Sequence, residues 1–289
     1  MRYLKANNEQ MLIVLSGSSS LNGLNSALLE ELLDGEYRII NYGTNAGANM
    51  LFYLYVISNY ATDGDLVVLA PEYTMNLTFG SNSLGYKTFR SNDQGYDIFR
   101  EVDISGFTNI FSEWMKYQKE MMQKTPGEYQ NELGCGMNPY GDLLGARNDN
   151  KFTQSSSSNL GTGYLNDTDA KRLNYVNSAF EFNNATLLLS FAPADKKLFK
   201  DSTISANADK FAQNCASKLN FPVISNPATF LLEEEYIYNS AWHPTFKGAN
   251  IRTVELAFDI LHYLDCLTDS YMAFDVRQTY NAQTYPDEF

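Results

Sequence analysis

Short, wholly apolar runs alternate along the chain with longer segments that have helix-boundary signals. The two clearest runs, residues 11–15 and 66–70, each end in residues typical of turns. Such runs are typical of strands that are buried on both faces, as they are in a parallel sheet. We therefore predict an α/β fold in which helices cover both faces of a parallel sheet of about five strands.

The predicted elements follow one another as strand and helix, with one interruption. Predicted strands cover 11–15, 37–41, 66–70, 185–191 and 221–224. Predicted helices cover 27–33, 47–60, 109–124, 169–182, 206–219 and 248–267, and Asn25 or Ser26 can cap the first of them. Residues 74–172 are rich in Gly, Asn and Ser, and we interpret them as an insertion in a single domain of residues 1–289.

Charge and composition exclude several classes of partner. The chain has 34 acidic and 21 basic residues, a formal net charge of −13, which disfavours nucleic acid and anionic membrane surfaces. Its apolar runs are too short for a membrane span, and residues 11–15 are too short for the apolar core of a signal peptide. Cys135, Cys215 and Cys266 are too far apart for a zinc site or a disulfide scaffold, and we expect neither metal nor organic cofactor.

Two histidines are present, so chemistry that needs an imidazole has two candidates. We expect His262, inside the last predicted helix, to be a partly buried structural residue. His243 lies in residues 239–245, which we interpret as a loop between the last strand and the last helix. Working residues of a parallel α/β sheet lie at this edge.

Ser18 follows the first predicted strand in a turn of small residues, where its hydroxyl would be accessible. A serine hydroxyl is a weak nucleophile until a base takes its proton, and a histidine from a distant loop is the usual base. The alternative is a polar turn that caps a helix.

Four segments resemble the conserved blocks of the SGNH (GDSL-type) hydrolases. Residues 16–26 resemble the first block, with Ser18 as nucleophile or, after a one-residue gap, Ser19. Residues 41–43 resemble the second block, which implies that the Gly43 N–H binds the oxyanion. Residues 64–73 and 239–253 resemble the third-strand and histidine blocks. The resemblance implies a flavodoxin-like, three-layer α/β/α fold with His243 as general base.

Two positions depart from that family's pattern. Asn239 stands where an acidic residue would orient the histidine, so the triad becomes a Ser18–His243 dyad assisted by an amide. The third block lacks its oxyanion-binding asparagine, and Glu72 follows the strand there instead. We expect Glu72 to orient a loop, bind substrate or pair with Arg252. Asn45 or Asn76 could supply the missing donor.

These residues and the resemblance together predict hydrolysis or transfer of an ester-linked acyl group. The resemblance favours O-acyl groups of cell-envelope glycans, or small acyl esters, outside the cytoplasm, and Trp242 could stack on a sugar. An alternative from another class is a catalytically idle module that binds an acylated glycan or lipid. A dinucleotide-binding domain ranks last, because Gly17 and Gly23 do not form G-x-G-x-x-G.

Overall fold

The computed structural model describes residues 9–44, 50–73, 104–123, 136–143, 145, 165–198 and 204–265. At its centre is a sheet of four parallel strands in the order β2-β1-β3-β4. The strands are β1 (Met11–Ser16), β2 (Arg38–Gly43), β3 (Leu66–Leu69) and β4 (Thr186–Leu189). All residues of β1 and β3 are buried, so these two strands form the middle of the hydrophobic core. The prediction of an α/β fold with a parallel sheet is confirmed.

The predicted fifth strand, residues 221–224, is reduced to a single bridge at the edge of the sheet. Val223 pairs with Leu189 of β4 in a parallel bridge. The Leu189 N–H donates to Pro222 O (2.8 Å), and the Ile224 N–H donates to Leu189 O (2.9 Å). Pro222 has no N–H to extend the ladder, which explains why the pairing remains this short.

Two groups of helices flank the sheet. The helices are α1 (Ser18–Gly23), α2 (Ser26–Leu32), α3 (Met50–Ser58), α4 (Ile104–Gln123), α5 (Asp167–Phe182), α6 (Ile204–Lys218) and α7 (Phe246–Tyr263). Helix α2 packs on α7, and α3 packs on α5. The six predicted helices overlap α2 to α7 in order, and residues 47–49, 124 and 266–267 of those predictions lie outside the described residues.

Local hydrogen bonds define where the first two helices begin. Asn25, rather than Ser26, caps α2, because its side chain accepts the Leu28 N–H (3.1 Å). Helix α1 was not predicted, since its Ser-rich sequence is equally typical of a turn. It is one and a half turns long and places Ser18 at its first position.

Two small strand pairs lie after β4. Strand β5 (Ala194–Asp195) pairs with β6 (Leu231–Leu232) in parallel, and β7 (Ile237–Ser240) pairs with β8 (His243–Pro244) in antiparallel fashion. The interpretation of residues 239–245 as a loop was therefore wrong. Ser240 pairs with His243, so the histidine stands in a tight hairpin.

Part of the predicted insertion packs directly on the sheet. The Asn41 N–H of β2 donates to Tyr140 O (2.8 Å), and the Leu143 N–H donates to Leu21 O of α1 (3.1 Å). The single-domain organisation remains a prediction. Among the helices in the described ranges, none combines the length and the apolar character that crossing a bilayer requires.

Gly43, at the end of β2, allows α1 to approach the sheet closely. A Cβ atom at this position would lie 2.5 Å from Leu21 Cγ and 2.7 Å from the Leu21 backbone nitrogen. The contact with backbone cannot be relieved by a side-chain rotation, so the position favours glycine.

We expect Gly43→Ala to lower the free energy of unfolding by about 1–3 kcal/mol, because the added methyl group forces α1 away from β2. Chemical denaturation measures the change. Gly145→Ala is the matched control, since a Cβ there meets nothing within 4 Å. Equal stability of the two variants would contradict the close approach of α1.

Candidate active site

Ser18 and His243 meet at the carboxyl edge of the sheet. Ser18 follows β1, and His243 begins β8, 225 positions later in the chain. The Ser18 hydroxyl oxygen lies 2.9 Å from His243 Nε2, and both residues are half-buried. The distance is that of a hydrogen bond between a nucleophile and its general base.

Asn239 contacts the other ring nitrogen of the histidine. Its Oδ1 lies 2.8 Å from His243 Nδ1. An amide oxygen can only accept, so in this arrangement Nδ1 carries the proton and Nε2 is the ring nitrogen that accepts the Ser18 proton. Asn239 is exposed and uncharged, so it orients the ring without the stabilisation that a carboxylate gives to an imidazolium.

The hydrogen-bond pattern distinguishes Ser18 from Ser19, the alternative nucleophile. Ser16 Oγ donates to Ala70 O (2.6 Å) and lies 2.8 Å from Ser19 Oγ. Because Ser16 has one hydroxyl proton and gives it to Ala70, the Ser19 hydroxyl must donate to Ser16. Ser19 is also fully buried. Ser18 is therefore the accessible hydroxyl of the pair.

Gly43 lies at the same edge, but its N–H already has an acceptor. It donates to Asn41 Oδ1 (3.1 Å) of the same strand. The Asn41 side-chain amide in turn donates to Ser20 O and to Asp142 Oδ1, both at 2.8 Å. The predicted oxyanion donor is thus engaged by a fixed side chain in this state of the protein.

Asp142, which our sequence reasoning missed, organises this part of the site from the predicted insertion. It is buried (6% exposed). It accepts hydrogen bonds from Ser26 Oγ (2.5 Å), Ser26 N (3.1 Å), Asn41 Nδ2 (2.8 Å) and Asn138 Nδ2 (2.9 Å). The available sequence signal was the turn composition of residues 138–142, Asn-Pro-Tyr-Gly-Asp.

Glu72 lies three residues beyond β3 and is buried (8% exposed). Its Oε1 accepts the Ser19 N–H (3.2 Å). Burial raises the pKa of the Glu72 carboxyl, and hydrogen bonds from Ser19 and Ser18 partly offset that rise. Glu72 therefore places a carboxyl group beside the candidate nucleophile.

The suggested ion pair between Glu72 and Arg252 was wrong. Arg252 is fully buried, and its guanidinium makes no hydrogen bond within the described part of the chain. The guanidinium lies 5.5 Å from the Phe230 ring centroid, and burial lowers the Arg252 pKa to about 10. Arg252 packs in the interior instead of pairing with Glu72.

Trp242 precedes His243 and is half-buried. Its ring centroid lies 5.8 Å from that of Tyr73, with the ring planes tilted by 33°. Tyr73 also stacks on Phe191 at 6.0 Å. Because the indole packs on this aromatic cluster, part of its surface is already used in packing, and sugar stacking remains a prediction.

The remaining predicted residues do not join this constellation. Asn45 and Asn76 lie outside the described residues. His262 is exposed on the last turn of α7, so the expectation of a partly buried structural residue was wrong. Its neighbours on the hydrophobic face are buried, whereas the histidine itself points away from the core.

Within the described ranges, no group of three or more His, Cys, Asp or Glu side chains is arranged to hold a metal ion. Cys215 is a buried free thiol whose pKa burial raises to about 12, and Cys135 and Cys266 lie outside the described residues. A thiol with so high a pKa is a poor nucleophile near neutral pH.

A comparison of the chain with models of known protein families gave no match, and neither did a comparison with curated proteins.

The raised pKa of Glu72 predicts a pH-dependent cost of burying its charge. The folded-state pKa lies above the ordinary value of 4.5, so the folded protein loses stability as the pH rises through the folded-state pKa. Glu72→Gln removes the charge and keeps an acceptor oxygen. We therefore expect the variant to have a higher Tm than the wild type near neutral pH, and the difference to vanish below pH 4.5.

Thermal unfolding monitored by circular dichroism across this pH range checks the expectation. Glu36→Gln, at an exposed position, is the control and should change Tm little at any pH. A Glu72→Gln difference that does not vary with pH would contradict the assignment of the effect to a buried charge.

Proposed function

We propose that the protein is a serine-dependent ester hydrolase or acyl transferase of the SGNH type. The observation that carries the proposal is the continuous chain of contacts from Ser18 through His243 to Asn239, with distances of 2.9 Å and 2.8 Å. A nucleophile, a base and a group that orients the base are the three parts that acyl transfer to serine requires.

The reaction begins with proton transfer from the Ser18 hydroxyl to His243 Nε2. The Ser18 oxygen attacks the acyl carbonyl carbon, and the resulting tetrahedral intermediate carries its charge on the former carbonyl oxygen. The imidazolium then gives its proton to the leaving alcohol, which leaves the acyl group on Ser18. Attack by water completes hydrolysis, and attack by a second hydroxyl completes transfer.

Backbone amides supply the oxyanion stabilisation in this proposal. The Ser18 N–H stands at the first position of α1, where a helix offers no intrahelical acceptor. The Gly43 N–H is the second donor, and substrate oxygen has to share it with Asn41 Oδ1 or displace that oxygen. Loss of one such donor costs about 2.7–4 kcal/mol in a well-studied protease, so this competition predicts slow turnover.

The finer fold assignment belongs to the same proposal. The strand order β2-β1-β3-β4, with Val223 beside β4, supports a flavodoxin-like arrangement in three layers. Ser18, Gly43 and Glu72 all follow or end strands at one edge of this sheet, where ligands bind in open α/β folds. By the resemblance described above, the preferred substrate is an O-acyl group on a carbohydrate.

A second candidate function is an idle module that binds acylated glycans or lipids. Two observations favour it: the residue that orients His243 is uncharged and exposed, and the Gly43 N–H is already engaged by Asn41. Both features would lower the catalytic rate, and neither would by itself prevent the binding of a ligand. Turnover by the purified protein decides between the two candidates.

We expect the wild type to hydrolyse p-nitrophenyl acetate and to be labelled by a fluorophosphonate probe at Ser18. Ser18→Ala should lose the label and lower kcat by about 10³-fold or more, because it removes the hydroxyl that lies 2.9 Å from His243 Nε2. Peptide mapping by mass spectrometry locates the label. Ser178→Ala, at an exposed position on α5, is the control.

Labelling that persists in Ser18→Ala would contradict the assignment of the nucleophile. A folded wild type that neither turns over nor takes the label would favour the binding module.

We expect Asn239→Asp to raise kcat by about tenfold near neutral pH, because a carboxylate stabilises the imidazolium better than an amide does. The gain should be far below the ~10⁴ lost on the reverse change in a serine protease, since Asn239 is exposed and solvent screens its charge. Steady-state kinetics measures the change.

Asn59→Asp adds the same charge at an exposed position that directly follows α3, and it serves as the control. An unchanged or lower kcat in Asn239→Asp, with the fold intact, would show that residue 239 does not support the base.

A further inference from the structure

Helix α1 carries the candidate nucleophile at its first position but lacks the usual means of satisfying its first amides. The residue before it is Gly17, which has no side chain to cap the helix, and its first turn contains no acidic residue. The first amides of any helix have no acceptor within the helix. The Ser19 N–H is one of these amides, and it is fully buried with its residue.

Glu72 supplies the missing acceptor from a distant part of the chain. Its Oε1 accepts the Ser19 N–H at 3.2 Å, across 53 positions of sequence. An acidic side chain near a helix N-terminus is also favoured by the helix dipole. Glu72 thus does for α1 what a capping side chain does for an ordinary helix, although it comes from the segment after β3.

A second contact ties the same segment to the turn before α1. Ala70 O accepts the Ser16 hydroxyl at 2.6 Å, and the Ser19 hydroxyl in turn donates to Ser16 at 2.8 Å. The segment after β3 therefore holds the turn at Ser16 and at Ser19, on either side of Ser18. The Ser18 hydroxyl oxygen, between these two points, lies 2.9 Å from His243 Nε2.

The charge of Glu72 and its acceptor oxygen have opposite consequences for the reaction. A negative charge beside Ser18 disfavours an oxyanion that develops on the attacked carbonyl group. The acceptor oxygen fixes the turn that bears the nucleophile. Substitutions at residue 72 can remove the charge and the acceptor oxygen separately, so variants can show which of the two the site depends on.

Resting on the function proposed above, we propose that Glu72 is a positioning residue for Ser18: its Oε1 anchors the Ser19 amide, and the site depends on that acceptor oxygen and not on the negative charge. The consequence for kinetics is specific. Loss of the anchor should lower kcat more than it changes KM, since it disturbs the alignment of Ser18 with His243 and removes no group to which the proposal assigns substrate binding.

Two conservative variants separate position from charge. Glu72→Gln keeps an acceptor oxygen in place and removes the charge, so we expect it to retain most of the wild-type kcat. Glu72→Asp keeps the charge and withdraws the oxygen by one methylene group, so we expect kcat to fall about 10- to 100-fold, as for small misplacements of reacting groups. Glu72→Ala should behave like Glu72→Asp, and Glu36→Ala is the exposed control.

Hydrogen exchange of the Ser19 amide, followed by NMR, tests the anchor without any assay of turnover. The amide should be protected in the wild type and in Glu72→Gln, and should exchange faster in Glu72→Asp. This measurement on the wild type does not depend on whether a variant folds.

Three results would overturn the inference: a Ser19 amide that exchanges freely in the wild type, an Asp variant that is active where the Gln variant is not, or folded Asp and Ala variants with unchanged kcat. A wild type that neither turns over nor takes the fluorophosphonate label would instead overturn the proposed function, while the exchange data still decide whether Glu72 anchors α1.

Discussion

The contact between Ser18 and His243 depends on one property of a parallel sheet, which is that the carboxyl ends of its strands meet at one edge. Strand β1 is central and wholly buried, so the residue that follows it leaves the core at the middle of that edge. The hairpin of β7 and β8 brings His243 to the same place from the other end of the chain. The two residues are 225 positions apart in the chain, so their contact depends on this convergence.

Buried polar groups fix the details of the edge. Asp142 gathers four hydrogen bonds from α2, β2 and its own turn, and Glu72 takes the amide at the start of α1. Leaving a buried Asp142 or Glu72 carboxyl group without hydrogen bonds would lower the stability of the fold. These hydrogen bonds therefore fix the position of each side chain. The backbone around Ser18 is therefore held from both the β2 side and the β3 side. A site whose groups are held in place in this way is preorganised, and burial of the Glu72 carboxylate carries a cost in stability.

Residues with strong local signals were predictable from the sequence. The apolar runs predicted the parallel sheet, Asn25 was one of the two predicted caps of α2, and the position of Ser18 after β1 pointed to the same edge as His243. Pairings between distant segments were not predictable. Nothing local distinguishes Asp142 from other acidic residues in an Asn- and Gly-rich stretch, and the anchoring of Ser19 by Glu72 requires knowing that β3 lies next to β1.

The hairpin at His243 was missed because Ala241 and Trp242 carry no turn signal. The shortness of the fifth strand was missed because Pro222, which lacks an N–H, shortens the pairing only with a particular neighbour. That neighbour, β4, could not be identified from the sequence.

The most direct test of the account is the protonation of the two ring nitrogens of His243 in its neutral form. With ¹⁵N-labelled histidine the chain gives signals from two residues, and the exposed His262 serves as an internal reference. The account predicts that Nδ1 of neutral His243 carries the proton and that Nε2 is unprotonated and sensitive to Ser18→Ala. A proton on Nε2, with no response to that substitution, would contradict the claim that His243 is placed to activate Ser18.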